Sequence, residues 1–155
     1  MRKILMALCL MFATLAQAQD LKTLKFGTIF DDAIINIKSS LGEPTTSNTN
    51  LVVYQNVHYR GFKWDKITFK FAQRKLCEVR CYMNKKNKQQ ALTQLSAIAK
   101  TMKKDYSITM DYEDDGDVFY SGGVSPMGFG HLFTIFVSPC NSIWTAQMRF
   151  GPFSI

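Results

Sequence analysis

Apolar side chains at Phe30, Ile34, Ile37 and Leu41 follow one another in steps of four, three and four, which places them on one face of a helix. Asp31, Asp32, Asn36, Lys38 and Ser39 fall largely elsewhere on the same turn pattern. Thr28 is a suitable N-cap, with Asp31 three residues on as a capping-box variant. Gly42 ends the helix and Pro44 prevents its continuation. The polar run TTSNTN then reads as a loop.

From Leu51 the period changes to two. The stretch LVVYQNVHYRGFKWDKITFKFAQRKLCEVRCYM is rich in Val, Tyr, Phe and Ile, and it predicts strands over 51–58, 62–71 and 76–83. Arg60-Gly61 and Ala72–Lys75 are the turns between them. In the last two strands Ile67, Phe69, Phe71, Cys77, Val79 and Cys81 alternate with Trp64, Lys66, Thr68, Lys70, Glu78, Arg80 and Tyr82. The first set should lie against helices, and the second should form the open side of an antiparallel sheet.

A second helix is predicted over 88–104, capped by Asn87 with Gln90 three residues later. Its stripe is Leu92, Leu95, Ile98, Ala99 and Met102, and Lys100, Lys103 and Lys104 suit its negative C-terminal end. Lys85, Lys86 and Lys88 crowd the other end, either as a solvated basic turn or as an anion-binding patch. Strands over 106–112, 117–122, 131–138 and 142–150 complete the chain. In the last of these Trp144, Ala146, Met148 and Phe150 should point inward, with Ile143, Thr145, Gln147 and Arg149 outward. The order is helix, three strands, helix, four strands. A lone helix cannot bury its stripe, so the expected fold class is α+β: two helices packed on one face of an antiparallel sheet, built from a doubled helix-plus-strands unit.

The segments GTIFDDAIINIKSSLGEP, LVVYQNVHYRGFKWDKITFKF and KLCEVRCY resemble β-lactamase inhibitor protein-like (BLIP-like) domains and the small outer-membrane assembly lipoproteins. The shared features are a Gly-Thr/Ser start, a short helix, a Leu-Gly-x-Pro stop and strands carrying a Tyr, over residues 27–82. The resemblance implies a helix-backed concave sheet used for protein or ligand binding, without catalysis. The chain departs from the lipoproteins in lacking their lipid-anchored cysteine. The paired loop cysteines of the inhibitor are not evident either, so inhibition of a β-lactamase does not carry over.

The N-terminal end changes the expected location. Arg2 and Lys3, an apolar run from Ile4 to Ala16, and the small-x-small site Ala16-Gln17-Ala18 form the pattern of a secretory signal peptide. The reading is a signal peptide over 1–18 and one α+β domain over 19–155, exported to the periplasm or secreted. No other segment is long and apolar enough to span a bilayer. Without Arg2 and Lys3 the chain carries 17 basic and 12 acidic residues, a net charge near +5, which permits anionic partners without demanding them. An exported, mildly basic chain with no recognition motif argues against nucleic acid.

Cys77, Cys81 and Cys140 remain after that cleavage. Cys77 and Cys81 are four apart in one strand, roughly 13 Å at the strand rise, too far for a bridge. A disulfide would therefore join Cys140 to Cys77 or Cys81; the alternative is three small apolar side chains. Nothing calls for a metal or other cofactor. The acidic run DYEDDGD at 111–117 fails the EF-hand pattern because its twelfth position is Gly122, and it reads as a hairpin tip with clustered acids, the alternative being a weak, irregular calcium site. The glycine-rich loop 121–130 has no Lys-Ser/Thr ending and opens no helix. His58 and His131 are the only histidines, and Cys77 and Cys81 point to the expected core, which leaves little basis for a Cys–His nucleophile.

The open sheet face is the candidate binding surface. Alternation assigns to it Tyr54, His58, Trp64, Thr68, Lys70, Arg80 and Tyr82, joined by Gln147 and Arg149. Aromatics mixed with Arg are what binding hot spots favour. The alternative is that another segment, such as loop 121–130, packs over Trp64 and Tyr82. The expected function is that of a non-enzymatic binding module of the bacterial envelope, meeting a protein or extracellular ligand with this face. A small secreted hydrolase with a Cys/His site, or a structural envelope component, are the competing expectations.

Overall fold

The structure, a computed structural model, describes residues 24–155, so the signal-peptide pattern lies outside the described residues. Helix α1 (Phe30–Leu41) is followed by β1 (Thr46–Ser47), β2 (Leu51–Tyr59), β3 (Phe62–Ala72) and β4 (Lys75–Lys85). Helix α2 (Lys88–Met102) then leads into β5 (Ile108–Tyr112), β6 (Val118–Gly122), β7 (Phe133–Cys140) and β8 (Ile143–Phe150). The eight strands form one antiparallel sheet in the order β1-β2-β3-β4-β8-β7-β6-β5. Each helix thus precedes a four-strand meander, and the last strand of each meander, β4 or β8, meets the other at the centre of the sheet. The α+β class and the doubled helix-plus-strands unit follow from this order. The short edge strand β1, only two residues long, had no periodicity by which to be found.

Local chemistry accounts for most boundaries. The two-residue turn at Gln73 and Arg74 has φ of 49° and 62°, and that at Arg60 and Gly61 has 50° and 77°. Positive φ at both central residues is the turn geometry that matches strand twist. Asn87 caps α2 by accepting a hydrogen bond from the Gln90 N–H. Helix α1 starts differently from expectation: Ile29 is its N-cap position, with no side-chain cap. The Thr28 carbonyl instead accepts from Leu76 N–H, and Phe30 N–H donates to the Arg74 carbonyl. The β3–β4 turn and the start of β4 thus take the place of a capping side chain.

The core lies between the helices and one sheet face. It joins Ala33 and Ile37 of α1 and Leu95, Ile98, Ala99 and Met102 of α2 to Ile67, Phe69, Cys81, Ile135, Ala146 and Met148. Trp64 belongs to the same core and is fully buried, which overturns its assignment to the open face. The cause is a change of phase within the β2–β3 hairpin. The register is the same from Leu51↔Lys70 to Tyr59↔Phe62, but pairing skips from Gln55↔Lys66 to Val57↔Trp64, and Asn56 in that gap has φ of 52°. On one side of Asn56 the inward residues are Tyr54 and Ile67; on the other they are Tyr59 and Trp64. The hairpin tip curls to the helix side, where Arg60 bonds Asp105 and Tyr106 beyond α2, and the Trp64 indole N–H donates to the Tyr59 carbonyl at 3.0 Å.

Candidate functional site

Alternation in β4, β7 and β8 builds a surface on the face away from the helices. Two cross-strand rows define it. Lys66, Tyr82, Gln147 and Phe136 stand side by side on β3, β4, β8 and β7. In the next row stand Thr68, Arg80, Arg149 and Thr134. Lys66 and Lys70 are exposed, and Thr68, Arg80, Tyr82, Phe136 and Arg149 are half-exposed.

The side chains interleave cations with rings. Lys66 Nζ lies 4.3 Å from the Tyr82 centroid, and the Arg80 guanidinium 5.2 Å from the same ring. Arg80 and Arg149 both lie 5.5 Å from the Phe136 centroid. Such contacts favour a cation over a ring face within about 6 Å. Beneath them Gln147 is 4% exposed although it points to the open side, because its neighbours close over it. Its Oε1 accepts from Arg80 Nε at 2.8 Å, and its Nε2 donates to Thr145 Oγ1 at 2.6 Å. The arrangement therefore rests on a satisfied buried amide, which fixes where Arg80 points.

The sequence assigned nine residues to this surface, and the structure brings six of them onto it: Thr68, Lys70, Arg80, Tyr82, Gln147 and Arg149. Trp64 is in the core, as described above. Tyr54 is also inward, 3% exposed, with its hydroxyl donating to the Gly42 carbonyl at 2.7 Å and its ring edge-on to Phe69. Its register partner is Ile67, and cross-strand partners share a face. Burial, with Glu43 adding to it, pushes the Tyr54 hydroxyl up to about 12. His58 is exposed but sits at the curled hairpin tip opposite Lys63, away from the arginines. Phe136 was missed; in FTIFVSPC it takes a polar phase between Thr134 and Ser138, and that phase was the signal available.

The other candidate chemistries fare less well. Cys77, Cys81 and Cys140 are all unbridged. Cys140 pairs with Ile143 at the β7–β8 turn, whereas Cys81 is opposite Met148, roughly 17 Å along β8 at the strand rise. No disulfide between them is geometrically open. Burial also raises the Cys77 and Cys81 thiols, which favours their neutral, unreactive form. Lys88 is engaged by Asp117 and lies over the Trp144 ring, which removes it from an anion patch with Lys85 and Lys86. Among the described residues no three His, Cys, Asp or Glu side chains converge as a metal site. No helix among them is long and apolar enough to cross a membrane.

A cavity of about 390 Å³ opens on the opposite, helix-backed side, among Tyr59, Arg60, Val79, Tyr106, Leu132 and Phe150. Its walls are mainly apolar side chains of the core margin. No protein-family model matches the chain, and neither does any curated protein or solved structure.

Proposed function

We propose that the protein is an exported, non-enzymatic binding module of the bacterial envelope that engages a partner through the uncovered face of its sheet. The observation that carries this reading is the ladder Lys66–Tyr82–Arg80–Phe136–Arg149, exposed or half-exposed across four adjacent strands. Sheet faces exposed to water are ordinarily polar. Two aromatic rings held between three cations make a surface with both apolar area and charge, the composition of an interface hot spot. Arg80 is also positioned in advance by the buried Gln147–Thr145 pair, so less ordering entropy remains to be lost on binding. The resemblance of residues 27–82 to BLIP-like domains supports the same use of a helix-backed sheet. The signal-peptide pattern of residues 1–18 supports export.

Site-specific photocrosslinking tests this. A photoreactive side chain is placed at Lys70 or Asn84, exposed at the border of the ladder, or at Ser96 on the outer side of α2. Discrete adducts in native cells at the two sheet positions, and none at Ser96, are the expected result. Equal labelling at all three positions, or none at the sheet positions, would refute the reading.

A further inference from the structure

The arginines of the ladder are arranged in a way that the fold alone does not favour. Arg80 and Arg149 are direct cross-strand partners on the two central strands. Like charges in that relation destabilise a sheet. Both guanidiniums also crowd the same ring, Phe136, at the same 5.5 Å. Among the described residues neither arginine is in an ion pair. Glu78 is two residues from Arg80 along β4 and makes no ion pair with either. Arg149 Nε is shut off from solvent with no hydrogen-bond partner. Arg80 uses Nε on Gln147, and its terminal nitrogens make no hydrogen bond with a described residue.

From this geometry, and resting on the binding role proposed above, we propose that Arg80 and Arg149 form the seat for a carboxylate presented by an acidic protein partner. One carboxylate between the two guanidiniums offsets their repulsion and offers acceptors to fork-shaped donors, a pairing for which arginine is suited. Phe136 and Tyr82 hold the forks as flat walls. The partner is macromolecular because the two guanidiniums lie on an open sheet face, whereas the 390 Å³ cavity lies on the other side of the sheet. The ladder instead spans β3, β4, β8 and β7, roughly 14 Å across at the usual strand spacing, a flat strip that a macromolecular surface can cover. Lys66 and Lys70 on the β3 side extend the positive surface to further acidic groups of the partner.

The test uses the full chain and a fluorescein-labelled penta-glutamate peptide, read by fluorescence anisotropy at low salt. Penta-lysine peptide, inorganic phosphate and anionic phosphatidylglycerol vesicles are compared with it. Penta-glutamate binding that weakens at least tenfold in Arg149→Gln and in Arg80→Gln, and less than twofold in Lys104→Gln, is the expected result. Arg149→Lys keeps the charge without the fork, and should retain only part of the affinity. Thermal melting confirms that each variant is folded, and the Nε–H NMR signals of the two arginines, followed during titration in the unmutated chain, read the site without any substitution. Three results would overturn the proposal: equal loss in Lys104→Gln, which indicates net charge alone; binding of phosphate or vesicles with no binding of penta-glutamate; or unmoved Nε–H signals at saturating peptide. Sheet-face photoadducts that persist in the Arg→Gln variants would sink the carboxylate seat while leaving the binding role intact. Absence of adducts in the unmutated chain would remove the binding role itself.

Discussion

The two faces of the sheet are made from the same strands and obey different rules. On the helix-backed face, Ile67, Phe69, Cys81, Ile135, Ala146 and Met148 each expose 1% or less of their surface. There every side chain gains from removal of apolar area from water. On the open face the neighbouring positions of those strands hold Lys66, Thr68, Arg80, Tyr82, Phe136 and Arg149, half-exposed or exposed, with cations opposed and one arginine nitrogen orphaned. The first face is arranged for stability and the second retains features that cost stability. The proposed binding role would give those costly features a use, and each substitution below probes one side of the contrast.

Trp64 gives the largest expected effect. It is the largest fully buried side chain, it packs edge-on to Phe62, and its N–H is satisfied by the Tyr59 carbonyl. Trp64→Ala should destabilise by about 3–5 kcal/mol, the range for truncating a buried large aromatic. Tyr82→Ala, on the open face, should cost about 1 kcal/mol or less because most of the lost area is not core. Urea unfolding of both variants measures the difference. Equal costs would mean that the two faces are energetically alike.

Next comes Leu95, fully buried on α2, for which Leu95→Ala should cost about 2–5 kcal/mol. Ser96→Ala, one residue on and exposed, should fall within about 0.5 kcal/mol. Helix α2 buries Ala91, Leu95, Ile98, Ala99 and Met102, whereas α1 buries only Ala33 and Ile37. Amide hydrogen exchange should therefore show α1 opening before α2. Equal protection would contradict this reading of the two helices.

These predictions rest on elements of unequal legibility. The helices were readable because their stripes keep a 3.6 period and their ends carry Gly42 and Asn87. Strands β3, β4 and β8 were readable where apolar and polar residues alternate without interruption. Legibility failed at Asn56. A single left-handed residue moves every side chain beyond it to the other face, and composition carries no trace of that, since neither phase of LVVYQNVHY is cleanly apolar. Tyr54 and Trp64 were both misplaced in that hairpin. The site proper was half legible. Arg80, Tyr82 and Arg149 follow from period two alone. The Arg80–Gln147 bond and the shared Phe136 ring depend on β8 crossing back to pair with β4, a long-range choice that no local pattern encodes.

Tyr54 offers a smaller effect with a definite pH signature. Its hydroxyl is raised to about 12 in the folded chain, against about 10 unfolded. A group that binds its proton more tightly when folded contributes fully below the unfolded value and loses that contribution as pH rises through 10 toward 12. Between those values the stability of the unmutated chain should fall by up to about 1.4 kcal/mol per pH unit from this residue. Tyr54→Phe removes the titration and the bond to the Gly42 carbonyl together. The stability gap between the two proteins should be widest below pH 10 and close above it. A gap that stays constant from pH 9 to 12 would show that the hydroxyl is not held as the structure places it.

The smallest expected effect is the most informative about the open face. Arg149→Leu removes a charge opposed to Arg80 and an Nε with no partner, and it leaves an apolar side chain beside Phe136. The lost cation–π contact is worth about 0.5–1 kcal/mol at an exposed site. The relieved like-charge pair contributes roughly 0.2–1 kcal/mol in the other direction. Ending the burial of an unsatisfied donor adds about 1 kcal/mol more, the low end of that penalty, because the rest of the Arg149 side chain is half-exposed. The balance is a protein unchanged or stabilised by about 1 kcal/mol, read as a small rise in thermal midpoint. Adding salt tests the origin of that gain. Screening weakens the Arg80–Arg149 repulsion in the unmutated chain, so the difference between the two should shrink as ionic strength rises from 0.01 to 1 M. A marked loss of stability on removing Arg149 would mean that the residue serves the fold, and the open face would then lose its claim to be arranged for a partner.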